Sequence, residues 1–179
     1  MHYINQAEAL SITNYHALHT WSITHPDRFW QHWWEYSRIV FSSAPSQTWI
    51  PADRFQDYQW FPNATLNFAE NMLSRRDATP AILYAREDGM RQQLSYQALY
   101  DRVARLGAYF RELGIQPGDR IAAFLHNGPE AVITLLAASS IGATFSSCSP
   151  DFGYAGLLDR FSQISPTVLV ATTHHRYNG

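Results

Sequence analysis

Short apolar runs alternate with amphipathic segments throughout the second half of the chain, and this alternation limits the possible folds more than any other feature. Runs of strand length span residues 121–125, 143–147 and 167–171, and segments of helix length, 129–141 and 154–163, separate them. Strand, helix, strand, helix, strand with short loops is typical of parallel βαβ units. The pattern predicts an α/β fold with a doubly wound, largely parallel sheet.

A hairpin and a long helix precede the alternating region. Residues 81–86 and 91–94 have the composition of strands, and the Asp88-Gly89 pair between them is a hairpin signal. Ser95 is placed to cap a helix whose apolar residues recur every three or four positions, and Gly114 is placed to end it. We therefore expect a β-hairpin followed by a helix between Ser95 and Gly114.

The first third of the chain contains all six Trp residues. Apolar residues recur at helical spacing from about Asn5 to Ile39, and Pro26 divides them because the residue before a proline avoids the helical conformation. The sequence predicts two helices that meet near residue 25, an extended connection over 40–65 and a short helix over 66–73. We expect a helical, Trp-rich lead segment over 1–75 packed on the sheet, and an incomplete α/β domain over 76–179.

Composition excludes several classes of function. The formal net charge of −2 provides no basic surface for nucleic acid. All 13 basic residues are Arg, so no Lys is present to form a Schiff base or to reach a nucleotide phosphate. The N-terminus lacks a secretory signal pattern, and the most apolar stretch, 131–145, is too short for a membrane helix. We expect a cytoplasmic protein with neither a membrane nor a nucleic-acid partner.

Histidine pairs and a single cysteine leave alternatives open. His16 and His19 share a helix face, so they either ligate a metal or lie on an ordinary helix surface, and His174-His175 allows the same two interpretations. Cys148 is either a nucleophile at a strand end or a small buried residue. Because no partner side chains are evident nearby, we favour the structural interpretation and predict no catalytic and no metal-binding residue.

Two loops follow predicted strands at the sheet edge where ligands bind in such folds, residues 126–128 and 148–153. Asp151, Asp159 and Arg160 either bind a substrate there or compensate a helix dipole, and we favour the dipole. Three aromatic residues either form a platform for a ligand or pack against the main domain: Trp30, Trp33 and Trp34. Their helical spacing favours packing.

Several longer stretches resemble acyl-adenylate-forming enzymes, which include acyl-CoA synthetases, luciferases and peptide-synthetase adenylation domains. The shared stretches resemble the opening of their large domain and lie at 94–96, 114–122 (Gly-Ile-Gln-Pro-Gly-Asp-Arg-Ile-Ala), 127–130 and 142–143. More specific stretches are similar to the acetoacetyl-CoA synthetase family, relatives of acetyl-CoA synthetase, and lie at 25–30, 60–73, 146–153 and 159–164. The resemblance extends from about Tyr15 to Gly179.

The resemblance implies the N-terminal portion of an ATP-dependent acid–thiol ligase that converts acetoacetate and CoA to acetoacetyl-CoA through an acyl adenylate. ATP, Mg²⁺ and CoA would serve the full-length enzyme, and its other partners would be acetoacetate and the remainder of the same chain. The 179-residue chain alone is expected to be inactive and to bind none of these ligands tightly. The alternatives are a ligase of this family for another short-chain acid and a stand-alone, non-catalytic interaction module.

The resemblance also implies one ligand contact within the chain. In the acetyl-CoA synthetase relatives, the segment after the strand at 167–171 contributes to the CoA nucleotide site. Here that segment contains Arg176, Tyr177, Asn178 and Gly179. An Arg suits a phosphate and a Tyr suits stacking on a base, so these residues are the predicted CoA contact.

Overall fold

The computed structural model describes residues 1–173, which divide into two compact units, Met1–Leu66 and Asn67 onward. The first unit contains α1 (His2–Glu8), α2 (Tyr15–Thr24), α3 (Pro26–Tyr36), β1 (Trp49–Ile50) and β2 (Gln59–Trp60). The second contains α4 (Phe68–Met72), β3 (Pro80–Ala85), β4 (Arg91–Ser95), α5 (Tyr96–Glu112), β5 (Arg120–Phe124), α6 (Pro129–Ser140), β6 (Thr144–Cys148), α7 (Gly153–Ser162) and β7 (Val168–Ala171). Short 3₁₀ helices span Phe55–Asp57 and Pro150–Phe152.

The lead segment has three helices where the sequence pattern predicts two. The break at Pro26 is confirmed, because α2 ends at Thr24 and α3 begins at Pro26. The additional break follows α1, where Ala9 adopts the left-handed conformation with φ of 52°. The Asn5 side chain stabilises this break, since it donates to the Ile12 carbonyl at 2.8 Å and accepts from the Ile12 N–H at 2.9 Å.

Aromatic rings of the first unit contact one another. β1 and β2 form a two-stranded antiparallel ribbon in which the rings of Trp49 and Trp60 stack at 5.3 Å between centroids. Trp30 packs edge-on against Trp60 at 5.9 Å, and Trp34 lies 4.9 Å from Phe61. Residues 40–65, predicted as an extended connection, therefore fold back through this ribbon.

The second unit has the α/β topology that the alternating pattern predicts. Its three parallel strands lie in the order β6-β5-β7, so β5 is central. Ile121 of β5 joins a core cluster with α6, whereas Ala122 joins a separate cluster with Phe161 of α7. Since neighbouring residues of a strand point to opposite faces, α6 and α7 cover opposite faces of the sheet. The doubly wound arrangement is confirmed.

The β-hairpin and the helix after it are also confirmed. β3 and β4 pair antiparallel around Gly89, which has φ of 80°, and the Ser95 side chain accepts from the Ala98 N–H at the start of α5. Phe110 of α5 is 1% exposed and lies in the larger core cluster, which also includes α4, α6 and β4. Helix α5 therefore connects the hairpin to the layer that covers the parallel sheet.

The Gly-Asp-Arg turn before β5 has a structural role. Asp119 accepts from the Gln116 N–H at 2.8 Å and so closes the turn. Arg120 donates from Nε to the Ile164 carbonyl and from Nη2 to the Ser165 carbonyl, both at 2.9 Å. These bonds satisfy two carbonyl groups of the loop between α7 and β7 and fix that loop to the start of β5.

Asn67 connects α4 to the end of α6. Its side-chain oxygen caps α4 by accepting from the Glu70 N–H, and its Nδ2 donates to the carbonyls of Ser139 and Ser140, each at 3.2 Å. We expect Asn67→Ala to lower the free energy of unfolding by about 2 kcal/mol, the sum of a lost cap and lost hydrogen bonds. Urea unfolding followed by far-ultraviolet circular dichroism measures this change.

The variant Asn67→Ser separates the two contributions, because serine caps a helix but lacks the amide donor. We expect Asn67→Ser to lower the free energy of unfolding by about 1 kcal/mol, roughly half of the loss expected for Asn67→Ala. Wild-type stability in Asn67→Ser would show that the bonds to the two α6 carbonyls contribute nothing.

Candidate functional site

The topology of the second unit indicates a candidate ligand site at the carboxyl ends of β5 and β6. Phe124 at the end of β5 pairs with Cys148 at the end of β6, so the two loops that follow start side by side. The loop after β5 leads to α6 on one face, and the loop after β6 leads to α7 on the opposite face. Loops that diverge in this way open a crevice at the carboxyl ends of the strands, which is where open α/β sheets bind ligands.

The loop after β5 is held close to the start of α6. Gly128 is buried, and its N–H donates to the His126 carbonyl at 2.8 Å. A Cβ at Gly128 would lie 3.2 Å from the His126 ring and 3.1 Å from the Glu130 carboxylate. The half-buried His126 ring and the exposed Glu130 are therefore held on either side of Gly128, beside the crevice.

The loop after β6 presents aromatic rings to solvent. Phe152 is 49% exposed and Tyr154 is 77% exposed. The Arg160 guanidinium lies 3.9 Å from the centre of the Phe152 ring, which is a cation–π contact. The sequence analysis assigned no role to these two rings. The signal that could have indicated them is the pair of aromatic residues on either side of Gly153, just after a predicted strand. Phe152 therefore offers an exposed ring with a positive charge against it, and Tyr154 is a second exposed ring two residues further along the chain.

The carboxylates near this loop have local partners. The Ser149 hydroxyl donates to Asp151 at 2.8 Å and accepts from the Asp151 N–H at 3.3 Å. Asp159 lies in the last half of α7, and its carbonyl accepts from Gln163 and Ser162. Asp151 lies at the start of the 3₁₀ helix, which agrees with the favoured interpretation that it compensates the helix dipole. Asp159 lies too far along α7 to compensate the positive end of its dipole.

Cys148 is a buried residue. It is 7% exposed and packs with Ala122 and Phe161. Burial raises the pKa of its thiol, and the nearby charge of Arg160 opposes this only in part. A thiol with a raised pKa is a poor nucleophile. The structural interpretation of Cys148 therefore holds, and its side chain packs in the cluster that α7 covers.

The remaining candidates lie in the first unit or outside the described residues. The Tyr15 ring lies 6.0 Å from that of His16 and 6.1 Å from that of His19. Within residues 1–173, no group of three His, Cys, Asp or Glu residues is arranged to hold a metal ion. Trp33 contacts Tyr36, so all three Trp residues of the predicted cluster pack against aromatic rings of their own unit.

The predicted CoA contact lies outside the described residues. It comprises Arg176, Tyr177, Asn178 and Gly179, and His174-His175 lies outside them as well. The strand that leads to this segment is described: β7 ends at Ala171, and the Thr172 N–H donates to the Phe124 carbonyl at 3.0 Å. The chain therefore leaves β7 at the same edge of the sheet as the crevice.

Within residues 1–173, no helix is long and apolar enough to cross a membrane.

Two family models match the chain. The model of the AMP-binding enzyme family matches residues 68–178, and the model of the acetyl-coenzyme A synthetase N-terminus matches residues 15–72. The first match covers the hairpin, α5 and the parallel sheet. The second covers α2, α3 and the aromatic ribbon, so the two models divide the chain close to the boundary between the two compact units.

Known proteins resemble the chain over nearly its full length. Acetoacetyl-coenzyme A synthetase of Rhizobium meliloti is 40% identical over 94% of the chain, and malonamoyl-CoA synthetase of Penicillium aethiopicum is 36% identical over 98%. The solved structure of acetoacetyl-CoA synthetase from Streptomyces lividans is 39% identical and superposes with a TM-score of 0.86 over 98% of the chain.

These comparisons confirm the resemblance to acetoacetyl-CoA synthetase. The chain spans about a quarter of the length of each relative: 26% of the Rhizobium protein, 25% of the Penicillium protein and 28% of the Streptomyces chain. The topology of the second unit, the carboxyl-edge crevice and the match over residues 68–178 agree with one another. The chain belongs to the AMP-binding enzyme family.

Proposed function

We propose that this chain is the N-terminal part of an ATP-dependent ligase that joins acetoacetate to CoA. The observation that carries the proposal is the 40% identity to an acetoacetyl-coenzyme A synthetase over 94% of the chain, supported by the fold similarity at a TM-score of 0.86. We place the ATP and Mg²⁺ contacts in the part of the full-length protein beyond residue 179. The chain alone is then catalytically silent, and the ligase acts in the cytoplasm.

The proposed reaction has two steps. A carboxylate oxygen of acetoacetate attacks the α-phosphorus of ATP, the bond to the bridging oxygen breaks, and pyrophosphate leaves. The CoA thiolate then attacks the carbonyl carbon of the acyl adenylate, and AMP leaves with the original carboxylate oxygen. Mg²⁺ bound to ATP would neutralise phosphate charge in the first step.

Isotopic labelling of acetoacetate tests the proposed reaction. We expect the full-length protein, given ATP, CoA and acetoacetate with heavy oxygen in its carboxylate, to release AMP that contains one heavy oxygen. The 179-residue chain should release none. Mass spectrometry of AMP measures both results. Unlabelled AMP from the full-length protein would exclude the acyl adenylate, and no turnover at all would favour a non-catalytic interaction module.

A ligase for another short-chain acid is the second candidate. The observation that favours it is the 36% identity to a malonamoyl-CoA synthetase over 98% of the chain. The name of that relative indicates an acyl group other than acetoacetyl. A comparison of kcat/KM for acetoacetate and malonamate in the full-length enzyme separates the two. A higher kcat/KM for acetoacetate supports our proposal, and a higher value for malonamate replaces the substrate while leaving the ligase mechanism in place.

We also propose that Arg176, Tyr177, Asn178 and Gly179 contact the nucleotide part of CoA. The resemblance to acetyl-CoA synthetase relatives motivates this, and the path of the chain supports it. Arg176 follows the end of β7 by five residues in the sequence, and β7 ends at the sheet edge that carries the crevice. A guanidinium there is well suited to a phosphate, which it binds through two parallel hydrogen bonds.

Arg176→Ala tests this contact in the full-length enzyme. We expect the KM for CoA to rise about tenfold, because a hydrogen bond between charged groups contributes roughly that factor in affinity. The KM values for ATP and acetoacetate should stay unchanged. Steady-state kinetics with each substrate varied in turn measures this.

Two further variants serve as controls for Arg176→Ala. Arg176→Lys keeps the charge and should recover part of the affinity for CoA. Arg54→Ala removes an exposed Arg whose described partner is Asp57, and it should leave all three KM values unchanged. An Arg176→Ala enzyme with wild-type KM for CoA would mean that the segment is an ordinary surface loop.

A further inference from the structure

A cluster of titratable side chains joins α1 to α3 in the first unit. α1 contributes Tyr3 and Glu8, and α3 contributes Arg28, His32 and Glu35. Glu8 and His32 are 24 positions apart in the chain, so no local motif marks the cluster. The comparisons assign it no role.

Glu8 is the buried centre of the cluster. Its side chain is only 7% exposed. It pairs with the Arg28 guanidinium, whose Nε donates at 3.2 Å, and with Nε2 of His32. A buried carboxylate is costly unless positive charges and hydrogen bonds compensate it. The position of α1 therefore depends on both partners that α3 provides.

The second nitrogen of His32 also faces a carboxylate. Its Nδ1 is buried, has no hydrogen-bond partner among the described residues, and lies 3.6 Å from Oε2 of Glu35. Tyr3 donates to the same Glu35 oxygen at 3.2 Å. A neutral imidazole carries one N–H, so one of its nitrogens would turn a lone pair toward a carboxylate. An imidazolium offers an N–H to each carboxylate.

The charge balance of the cluster agrees with an imidazolium. Glu8 and Glu35 carry two negative charges, which Arg28 and a protonated His32 offset. The other titratable groups near the ring are uncharged Tyr3, whose ring meets that of His32 edge-on at 5.8 Å, and Tyr36, which contacts Tyr3. His2 lines the same cavity as His32, together with the N-terminal Met1, and α2 contributes only Leu18 to that cavity.

We propose that His32 is held as an imidazolium between Glu8 and Glu35, and that α1 stays docked on α3 only while this charge is present. Apart from the exposed hydrogen bond of Tyr3 to Glu35 and the ring contacts of Tyr3, little else stabilises the docked helix. α1 has seven residues, too few to be stable alone, and Ile4 is the single buried residue of the first unit. Loss of the proton leaves Glu8 with Arg28 as its one cationic partner.

Release of α1 would open an apolar cavity. The cavity has a volume of about 640 Å³ and lies between α1 and the aromatic side chains Phe29, Trp33 and Tyr36 of α3. Docking is present while His32 is protonated and is lost as the pH rises.

Amide hydrogen exchange of the full-length protein tests the proposal. After correction for the intrinsic pH dependence of exchange, we expect the peptide that contains α1 to exchange roughly tenfold faster at pH above the His32 transition than below it. His32→Gln should exchange fast at every pH. His19→Gln, which alters an exposed histidine of α2, should keep the wild-type profile.

The proposal is overturned if α1 protection in the wild-type protein is independent of pH, or if His32→Gln retains the wild-type pH profile. A direct readout covers the case in which His32→Gln does not fold. The exchange rate of the carbon-bound ring hydrogen of His32, measured by mass spectrometry of the wild-type protein, reports the charge of its ring. A neutral His32 at a pH where α1 is protected would also overturn the proposal.

Discussion

Phe110→Ala is expected to lower the free energy of unfolding by about 3–5 kcal/mol. Phe110 is 1% exposed and lies in the cluster where α5 meets α4 and α6. Removal of its ring forfeits the transfer free energy of the ring and leaves a cavity that rigid neighbours fill only in part. Since domains are stable by roughly 5–15 kcal/mol, a loss of this size removes a large fraction of the total.

Tyr109→Ala is the matched control for Phe110→Ala. Tyr109 precedes Phe110 in α5 and is 53% exposed, so its truncation removes an aromatic ring from the same helix without leaving a cavity. We expect it to cost less than about 1 kcal/mol. Urea unfolding measures both variants against the wild-type chain. Similar losses in the two variants would contradict the position of Phe110 in the core.

Gly142→Ala is expected to destabilise the fold by about 2–4 kcal/mol for two separate reasons. Gly142 follows α6 with φ of 76°, a conformation that costs other residues about 1–2 kcal/mol. An added Cβ would also lie 3.1 Å from Cβ of Pro117, a ring with little freedom to move. Both costs act at the turn before β5, where the Gly118 N–H donates to the Gly142 carbonyl at 2.9 Å.

Gly114→Ala isolates the conformational cost. Gly114 follows α5 with φ of 82°, and an added Cβ there meets no atom within 4 Å. We expect it to cost about 1–2 kcal/mol, less than Gly142→Ala. Thermal or urea unfolding of the two variants gives the difference. Equal losses would show that Pro117 yields to the added methyl group and that the close approach has no energetic weight.

Much of the second unit could be predicted because its signals are local. Alternating apolar runs, the Asp88-Gly89 pair and Ser95 each specify structure within a few residues, and the structure confirms all three. The strand order β6-β5-β7 was not visible, since it depends on the faces that α6 and α7 cover. The apolar pattern of α5 continues to Leu113, which is nevertheless 49% exposed because the helix ends at Glu112.

The first unit was harder to predict because its contacts join distant residues. The break after α1 depends on the side-chain bonds between Asn5 and Ile12, and the ribbon depends on Trp49 stacking on Trp60. For the candidate site, the sequence indicated two loops, and the structure places both at the carboxyl edge of the parallel strands. It did not indicate that the crevice lies between β5 and β6, or that Phe152 and Tyr154 are exposed beside it.

The separation of the chain into two units has a practical consequence for spectroscopy. All six Trp residues lie in the unit that ends at Leu66, whereas the larger buried cluster and the parallel sheet lie in the unit that begins at Asn67. Tryptophan emission therefore reports on the first unit alone, whereas far-ultraviolet circular dichroism reports on the helices and strands of both units. In one unfolding experiment, a change in circular dichroism that leaves the tryptophan emission unaltered belongs to the second unit, so the two signals distinguish the two parts of the chain without an added label.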